Sequence, residues 1–328
     1  MDLREALQSE LKGTYEILRE LPRGGMSRVF AAREKALGRT VVIKVLSPDL
    51  AATLSADRFR REIMLAARLQ HPHIVPLLST GDAAGSLFFT MPLVEGESLR
   101  ERMSRERPMA ADDVARILVE VAGALEYAHA QGLVHRDIKP ENVMFFHESA
   151  VVLDFGIGKA LTAASPNPND PAAARITASG MSLGTPVYIP PEQAAGDPDL
   201  DHRADLYSLG VVAYEMLTGH PPFSGRTPQV VFAAHAKEAP VSITHKRPDT
   251  PPALARIVMQ CLEKKPADRP QSAAEIVRAL RLTPAAGVSS VGGLKVVASR
   301  LPAWLPWAIA GVMTLLAIFL ALRIALGG

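Results

Sequence analysis

One cysteine, Cys261, stands in 328 residues. A lone thiol cannot close a disulfide within the chain, so a reducing compartment is expected and Cys261 reads as a small buried apolar side chain. Aromatic residues make up only 5% and the formal net charge is only +2. Those two deficits remove the stacking surface and the basic footprint that nucleic-acid binding requires, so nucleic acid is not an expected partner. The N-terminal stretch MDLREALQSELKG has no unbroken apolar core and is not expected to act as a secretory leader. What is present in quantity is apolar: 48% hydrophobic against 21% charged residues, a balance that excludes general disorder and supplies a sizeable core.

The patterning divides the chain. After an N-terminal segment, 1–14, short β-prone runs follow one another from Tyr15 to about Val94: YEILREL, RVFAARE, TVVIKVL and LFFTMPLV. With one helical pattern among them, they predict a small antiparallel sheet. From about 95 to 282 helical spacing dominates, as in DDVARILVEVAGALEYAHAQG, with apolar residues three and four apart and a glycine stop. A stretch rich in Pro, Asn, Ser and Ala interrupts this region, LTAASPNPNDPAAARITASGMS, and reads as a loop. Residues 283–300 read as a flexible linker. Long apolar runs are otherwise missing, but Leu301 to Leu322, LPAWLPWAIAGVMTLLAIFLAL, carries no charge. As a helix it would extend about 33 Å, enough for a bilayer core. Pro302 and Pro306 fall at its start, Trp304 and Trp307 at interfacial depth, and Arg323 opens a short tail, 323–328. Lys295 and Arg300 before the run agree weakly with a cytosolic N-terminal side.

The residues that suggest chemistry lie in HRDIKPEN, His135 to Asn142, and in Asp154-Phe155-Gly156, which begins twelve residues after Asn142. HRDxxxxN followed by DFG at that spacing is highly specific. The sequence here resembles the protein kinase family, over roughly Tyr15 to Leu282, and most of all the bacterial serine/threonine kinases with a eukaryotic-type domain. The resemblance implies an α+β, two-lobed protein kinase fold, with a small antiparallel sheet lobe carrying one helix and a mainly helical lobe, to which the apolar run would add a single C-terminal transmembrane helix. It implies ATP and Mg²⁺ as cofactors and phosphoryl transfer to serine or threonine of protein substrates, a reaction that needs positioning and charge neutralisation more than covalent help.

By the same resemblance Asp137 is the catalytic base, Lys139 steadies the transferring phosphate, and Asn142 and Asp154 supply hard oxygen ligands to magnesium. His135 is expected to pack beside Phe155. VVIK resembles the family's VAIK, which makes Lys44 the residue that grips the α- and β-phosphates, with Glu62 as its ion-pair partner. On a helix, Phe59, Leu65, Ala66 and Leu69 fall beside Glu62, and burying that stripe would aim the carboxylate inward. Met91 fits the gatekeeper, and the carbonyl of Pro92 and backbone of Val94 are expected to meet adenine, with Val29 a further nucleotide contact. GTPVYIPPEQ resembles the end of an activation segment, with Thr185 near the catalytic aspartate, Glu192 paired with Arg269, and Asp205 bracing the catalytic loop.

Glycine is scarce at one telling place. LPRGGMSRVF resembles the family's GxGxxG loop, yet Pro22 and Ser27 replace its first and third glycines. Gly24 and Gly25 remain to let backbone approach phosphate, whereas Pro22 stiffens the loop's entry. The expectation is altered nucleotide affinity with transfer retained. A membrane-tethered pseudokinase that binds nucleotide without turnover is the alternative. A small-molecule kinase is disfavoured by the GTPVY and PPE elements. Arg136 beside Asp137 implies control by phosphate on Thr177 or Ser179, with self-association for autophosphorylation in trans. The expected location is the cell membrane, single-pass and anchored in lipid through 301–322, with the folded domain in the cytoplasm.

Overall fold

The computed structural model of the chain describes residues 2–21, 27–46, 56–155, 186–225 and 227–281. Gly24, Gly25, Thr177, Ser179, Thr185 and the run 301–322 lie outside them. Among the described residues no helix is long and apolar enough to cross a membrane.

The first lobe opens with helix α1 (Leu3–Leu11) and carries one antiparallel sheet of β1 (Tyr15–Leu21), β2 (Ser27–Glu34), β3 (Arg39–Leu46), β4 (Ser79–Ala83) and β5 (Ser86–Pro92), in the order β1-β2-β3-β5-β4. Alternation along β3 sorts its side chains onto two faces. Val41, Ile43 and Val45 join Phe30, Phe88 and Leu7 of α1 in one apolar cluster. Val42 and Leu46 join Val29, Phe89, Met91 and Ile63 in another, and Lys44 shares their side of the strand. Both faces are therefore covered, which accounts for the nearly continuous burial of β5. Burying Leu7 completely contributes about 1.5–3 kcal/mol.

Two elements depart from the sequence-based expectation. β4 is a fifth strand, built from STGDA, a segment whose composition is that of a turn. It forms because β5 offers an unpaired edge, and the backbone pairing Ser79↔Thr90 to Ala83↔Ser86 satisfies groups that the side chains do not recommend. The N-terminal segment is likewise structured: α1 docks on the sheet, with Gln8 Oε1 accepting from the Ile17 N–H at 2.7 Å. The expected stripe on α2 (Ala56–Ala66) also shifts. Ile63, Ala66 and Leu69 are buried, whereas Leu65 is exposed, because the buried face runs in steps of three from Ile63.

The second lobe contains α3 (Leu99–Arg105), α4 (Ala111–Ala130), the hairpin β6 (Val143–Phe146) and β7 (Ser149–Val152), then α5 (Arg203–Thr218), α6 (Pro228–Lys237), α7 (Pro252–Cys261) and α8 (Ala273–Arg281). A capping box of Ser98 and Glu101 starts α3 by satisfying donors the helix itself cannot. The buried face of α4 includes Val114, Ile117, Leu118, Val121, Leu125 and Ala128, the three- and four-residue spacing of an amphipathic helix. Its central partner α5 is buried at every position from Ala204 to Leu217, so it has no solvent face to keep polar. Gly210 lets α7 approach: a Cβ there would stand 2.6 Å from that of Cys261. Cys261 is buried as expected, and burial pushes its thiol up to about 12.

Backbone hydrogen bonds join the lobes. Val75 N donates to Val152 O and Val152 N to His73 O. The connection after β5 is pinned by Phe145 N donating to Glu97 O at 2.9 Å. Gly96 lies so close to this strand that a Cβ would fall 2.0 Å from the Phe145 carbonyl oxygen.

Candidate active site

Strand β3 delivers Lys44 and the segment after β7 delivers Asp154. Lys44 Nζ donates to Asp154 Oδ2 at 2.6 Å, and both side chains are largely buried. Asp154 has φ of 66°, a left-handed conformation rare for a residue with a Cβ and costing roughly 1 kcal/mol or more unless its surroundings enforce it. The neighbours supply that enforcement. His135 Nε2 lies 2.8 Å from Leu153 O, Leu153 N donates to Asn142 O at 2.9 Å, and the His135 ring stands edge-on to Phe155 at 4.7 Å.

The loop before β6 holds a second carboxylate. Asn142 Nδ2 donates to Asp137 Oδ2 at 2.9 Å and to Asp137 O at 2.8 Å, while Lys139 Nζ donates to Asp137 Oδ2 at 2.7 Å. Half of the Asp137 side chain remains exposed, so it is fixed without being sealed off. With Nδ2 committed to Asp137, Asn142 presents Oδ1 as a hard acceptor. That oxygen and the Asp154 carboxylate fit a magnesium ion by donor chemistry. Among the described residues no group of three or more His, Cys, Asp or Glu could hold a metal alone, so water and phosphate would have to complete the coordination.

Asp205 at the start of α5 organises this loop from beneath. It is 1% exposed and accepts from His135 N at 2.8 Å, Arg136 N at 2.7 Å and His129 Nε2 at 2.8 Å. Burial alone would raise its pKa, but the hydrogen bond and charge of His129, the charge of His135 and the His135 N–H hold it below the ordinary value. Arg136, at φ 65°, is the strained residue that these bonds retain. Burial pushes its guanidinium pKa down, against the carboxylates of Asp205 and Glu62. His129 and Gln193 were not singled out in the sequence. His129 reaches Asp205 from the last turn of α4, and Gln193 Nε2 donates to Arg136 O at 3.0 Å; neither contact has a sequence signal, since both depend on packing.

The ion pair expected between Lys44 and Glu62 is not made. Glu62 is buried on α2, but the carboxylate that Lys44 meets among the described residues is Asp154. The left-handed turn at Asp154 directs its carboxylate to the ammonium. The remaining predicted residues gather around one apolar cluster: Val29 and Met91 are buried in it, with Leu153 from the other lobe, and Val94 packs against it. Met91 faces Val42 and Pro92 faces Val41 across β5 and β3, one strand edge from Lys44. The Glu192 carboxylate meets Arg269 at 2.6 and 2.8 Å.

Comparison with known proteins places this geometry. The protein kinase domain model matches residues 15–280. The chain is similar to serine/threonine-protein kinase pkn3 of Myxococcus xanthus, 39% identical over 281 residues, which is 83% of this chain and 50% of the relative. It is 41% identical over 272 residues to serine/threonine-protein kinase PknB of Mycolicibacterium smegmatis, covering 81% of this chain and 42% of that one. It thus spans half or less of the length of these curated relatives. Among solved structures, that of Rad53 residues 1–466 in complex with AMP-PNP superposes with a TM-score of 0.67 at 23% identity, over 82% of this chain and 65% of that one, a likeness of fold.

Proposed function

The chain belongs to the protein kinase domain family, and from that membership we propose that it is an ATP- and Mg²⁺-dependent serine/threonine protein kinase. The observation that carries the reading is Asp137, a half-exposed carboxylate held by both Asn142 and Lys139, in a loop whose Asn142 carbonyl accepts from Leu153 N, next to the Asp154 that pairs with Lys44. Asp137 accepts the proton of the substrate hydroxyl and aligns it for attack. Lys139 keeps that carboxylate in place and adds positive charge beside the phosphoryl group in flight. Lys44 binds nucleotide phosphate, and the apolar cluster of Val29, Met91 and Val94 receives the base, with Pro92 and Val94 offering backbone groups. Gly24 and Gly25 cover the phosphates, and Glu62 supports Lys44 when α2 brings it near. Magnesium, bound by Asn142 and Asp154, supplies neutralisation of phosphate charge.

The same reading gives the protein domain the bounds 15–282 and joins it by 283–300 to a membrane anchor at 301–322, with the domain on the cytoplasmic side. An uncharged run long enough for a bilayer core supports the anchor. Proteins are the substrates, and a second copy of the chain is the substrate for autophosphorylation of Thr177 or Ser179, whose phosphate Arg136 would bind. The test is transfer of labelled γ-phosphate from Mg-ATP to a generic protein by the full chain in detergent, beside Asp137→Asn. Loss of a general base lowers rates by about 10²–10⁴-fold, so label should enter with the wild type and nearly vanish with the variant. Nucleotide binding without transfer by the wild type would instead make the chain a nucleotide-binding scaffold.

A further inference from the structure

Three residues beyond Val94, the connection that leaves the first lobe reaches Glu97, which is held by its backbone and its side chain together. The Glu97 carbonyl accepts from Phe145 N of β6 at 2.9 Å. Its carboxylate meets two arginines of α3: Oε1 accepts from Arg102 Nε at 2.8 Å and from Arg105 Nη2 at 3.0 Å, and Oε2 accepts from Arg105 Nη1. Arg102 then lies over the Phe145 ring, 3.6 Å from its centre. The contacts form a closed circuit, from Glu97 to Arg102, from Arg102 to Phe145, and from Phe145 back to Glu97.

Most ion pairs on a protein surface contribute little, because water screens them and long side chains must be ordered to make them. This pair is better placed. Only 13% of the Arg102 side chain and 25% of the Glu97 side chain are exposed, and the arginine is also fixed by the ring beneath it. The hydrogen bond from Arg105, then that from Arg102, hold the Glu97 pKa down to about 2 against burial. What the circuit fastens is β6. Met144 of that strand bridges to Ser98 and packs against the apolar cluster of Val29 and Met91, while the strand begins directly after Asn142, the residue that holds Asp137. Gly96, whose backbone meets the Phe145 carbonyl with no room for a side chain, brings the connection against the same strand.

We propose that Glu97 is a positioning residue for the nucleotide: by tying the end of the connection to β6 through Arg102 and Arg105, it fixes Pro92 and Val94 relative to Met144 and so sets the seat of the adenine base. The inference rests on the reading of the chain as an ATP-dependent kinase. Glu97 touches neither the nucleotide nor the phosphate in transfer. Without the tie, the connection occupies several positions of which one receives the base, and apparent affinity falls with the competent fraction. The chemistry at Asp137 is left as it was.

The test uses the full chain in detergent and reads KM for ATP, kcat, KM for a generic protein substrate, and the Kd of adenosine, which has a base and no phosphate. Glu97→Ala should raise KM for ATP and Kd for adenosine together, by about threefold to tenfold, with kcat and the protein KM within about twofold of wild type. Glu97→Gln, which keeps the size and one acceptor, should show a smaller rise. Arg102→Met should act in the same direction, and joining it to Glu97→Ala should add less than the two effects multiplied, because both break one circuit. A merely structural role would lower Tm and the active fraction without moving either constant. Wild-type values of KM for ATP and Kd for adenosine in Glu97→Ala, or fully multiplicative effects in the double variant, would overturn the proposal. Should wild type bind adenosine yet transfer no phosphate, the kinase reading fails and the adenosine comparison alone decides the role of Glu97; a wild type that does neither removes both.

Discussion

Replacing Asp205 by asparagine changes one atom of a buried side chain, and the structure sets what that atom is worth. Oδ2 accepts from His129 Nε2 and His135 N, and Oδ1 from Arg136 N. Asparagine keeps one oxygen, and its amide nitrogen must face an N–H on the other side. At least one hydrogen bond to a charged acceptor is lost, about 1.5–3 kcal/mol, and a buried donor is left facing a donor, about 1–3 kcal/mol more. Together these predict a destabilisation of about 2.5–6 kcal/mol, read as a fall in Tm of at least roughly 5 °C for a domain near this size. Function should suffer beyond stability. Arg136 N is tied to Asp205 while Arg136 holds φ at 65°, so the released peptide relaxes towards an unstrained conformation and carries Asp137 with it. Urea unfolding and γ-phosphate transfer at a temperature where both proteins are folded give the two readouts. An Asp205→Asn variant within about 1 kcal/mol of wild type and with unaltered kcat would refute the idea that these three bonds hold the loop.

Arg269 has no solvent exposure and pairs with Glu192 through two nitrogens; Arg269→Met should therefore cost about 3–5 kcal/mol in denaturant unfolding by stranding a buried carboxylate. Adding Glu192→Leu should restore part of the loss, and an Arg269→Met variant as stable as wild type would count against the pair. His235 is fully buried, its Nδ1 hydrogen-bonded to the Tyr207 hydroxyl at 2.8 Å, and packs on Phe223. Burial, followed by the nearby Lys264 charge, lowers its pKa from 6.5 to about 4. Between those values the unfolded chain binds a proton that the folded one refuses, so stability falls as pH drops from 6.5 to about 4, by up to about 3 kcal/mol. Unfolding free energies of wild type and His235→Gln across that window should converge at the acid end; parallel curves would refute the assignment.

Much of the site was readable before any fold was known. HRDxxxxN and DFG state which residues meet, since Asp137, Lys139 and Asn142 lie within one short loop and local chain geometry alone can bring them together. Strands β1, β2, β3 and β5 announced themselves through β-branched and aromatic runs that can be buried on one or both faces. Periodicity likewise revealed α4, and the apolar run 301–322 is visible from composition alone. Pairings that depend on how separate elements pack were beyond that reading. Whether Lys44 meets Glu62 or Asp154 is decided by the placement of α2 and by the backbone turn at Asp154, neither of which is encoded in a few neighbouring residues. β4 required the edge of β5, α1 required an uncovered sheet face, and His129 found Asp205 across 76 residues. Arg100 is the fullest instance: in the sequence it is one more charge on a short helix, and only the convergence of α3, α5, Tyr188 and Glu141 makes it the shared partner of Glu141, Glu215 and Tyr188. Sequence determined the residue types and the local order of the catalytic loop, because those follow from covalent neighbours and side-chain pattern. Tertiary structure alone decided the partners of each charge, because burial forces a charge to pair with whatever the packing brings within reach.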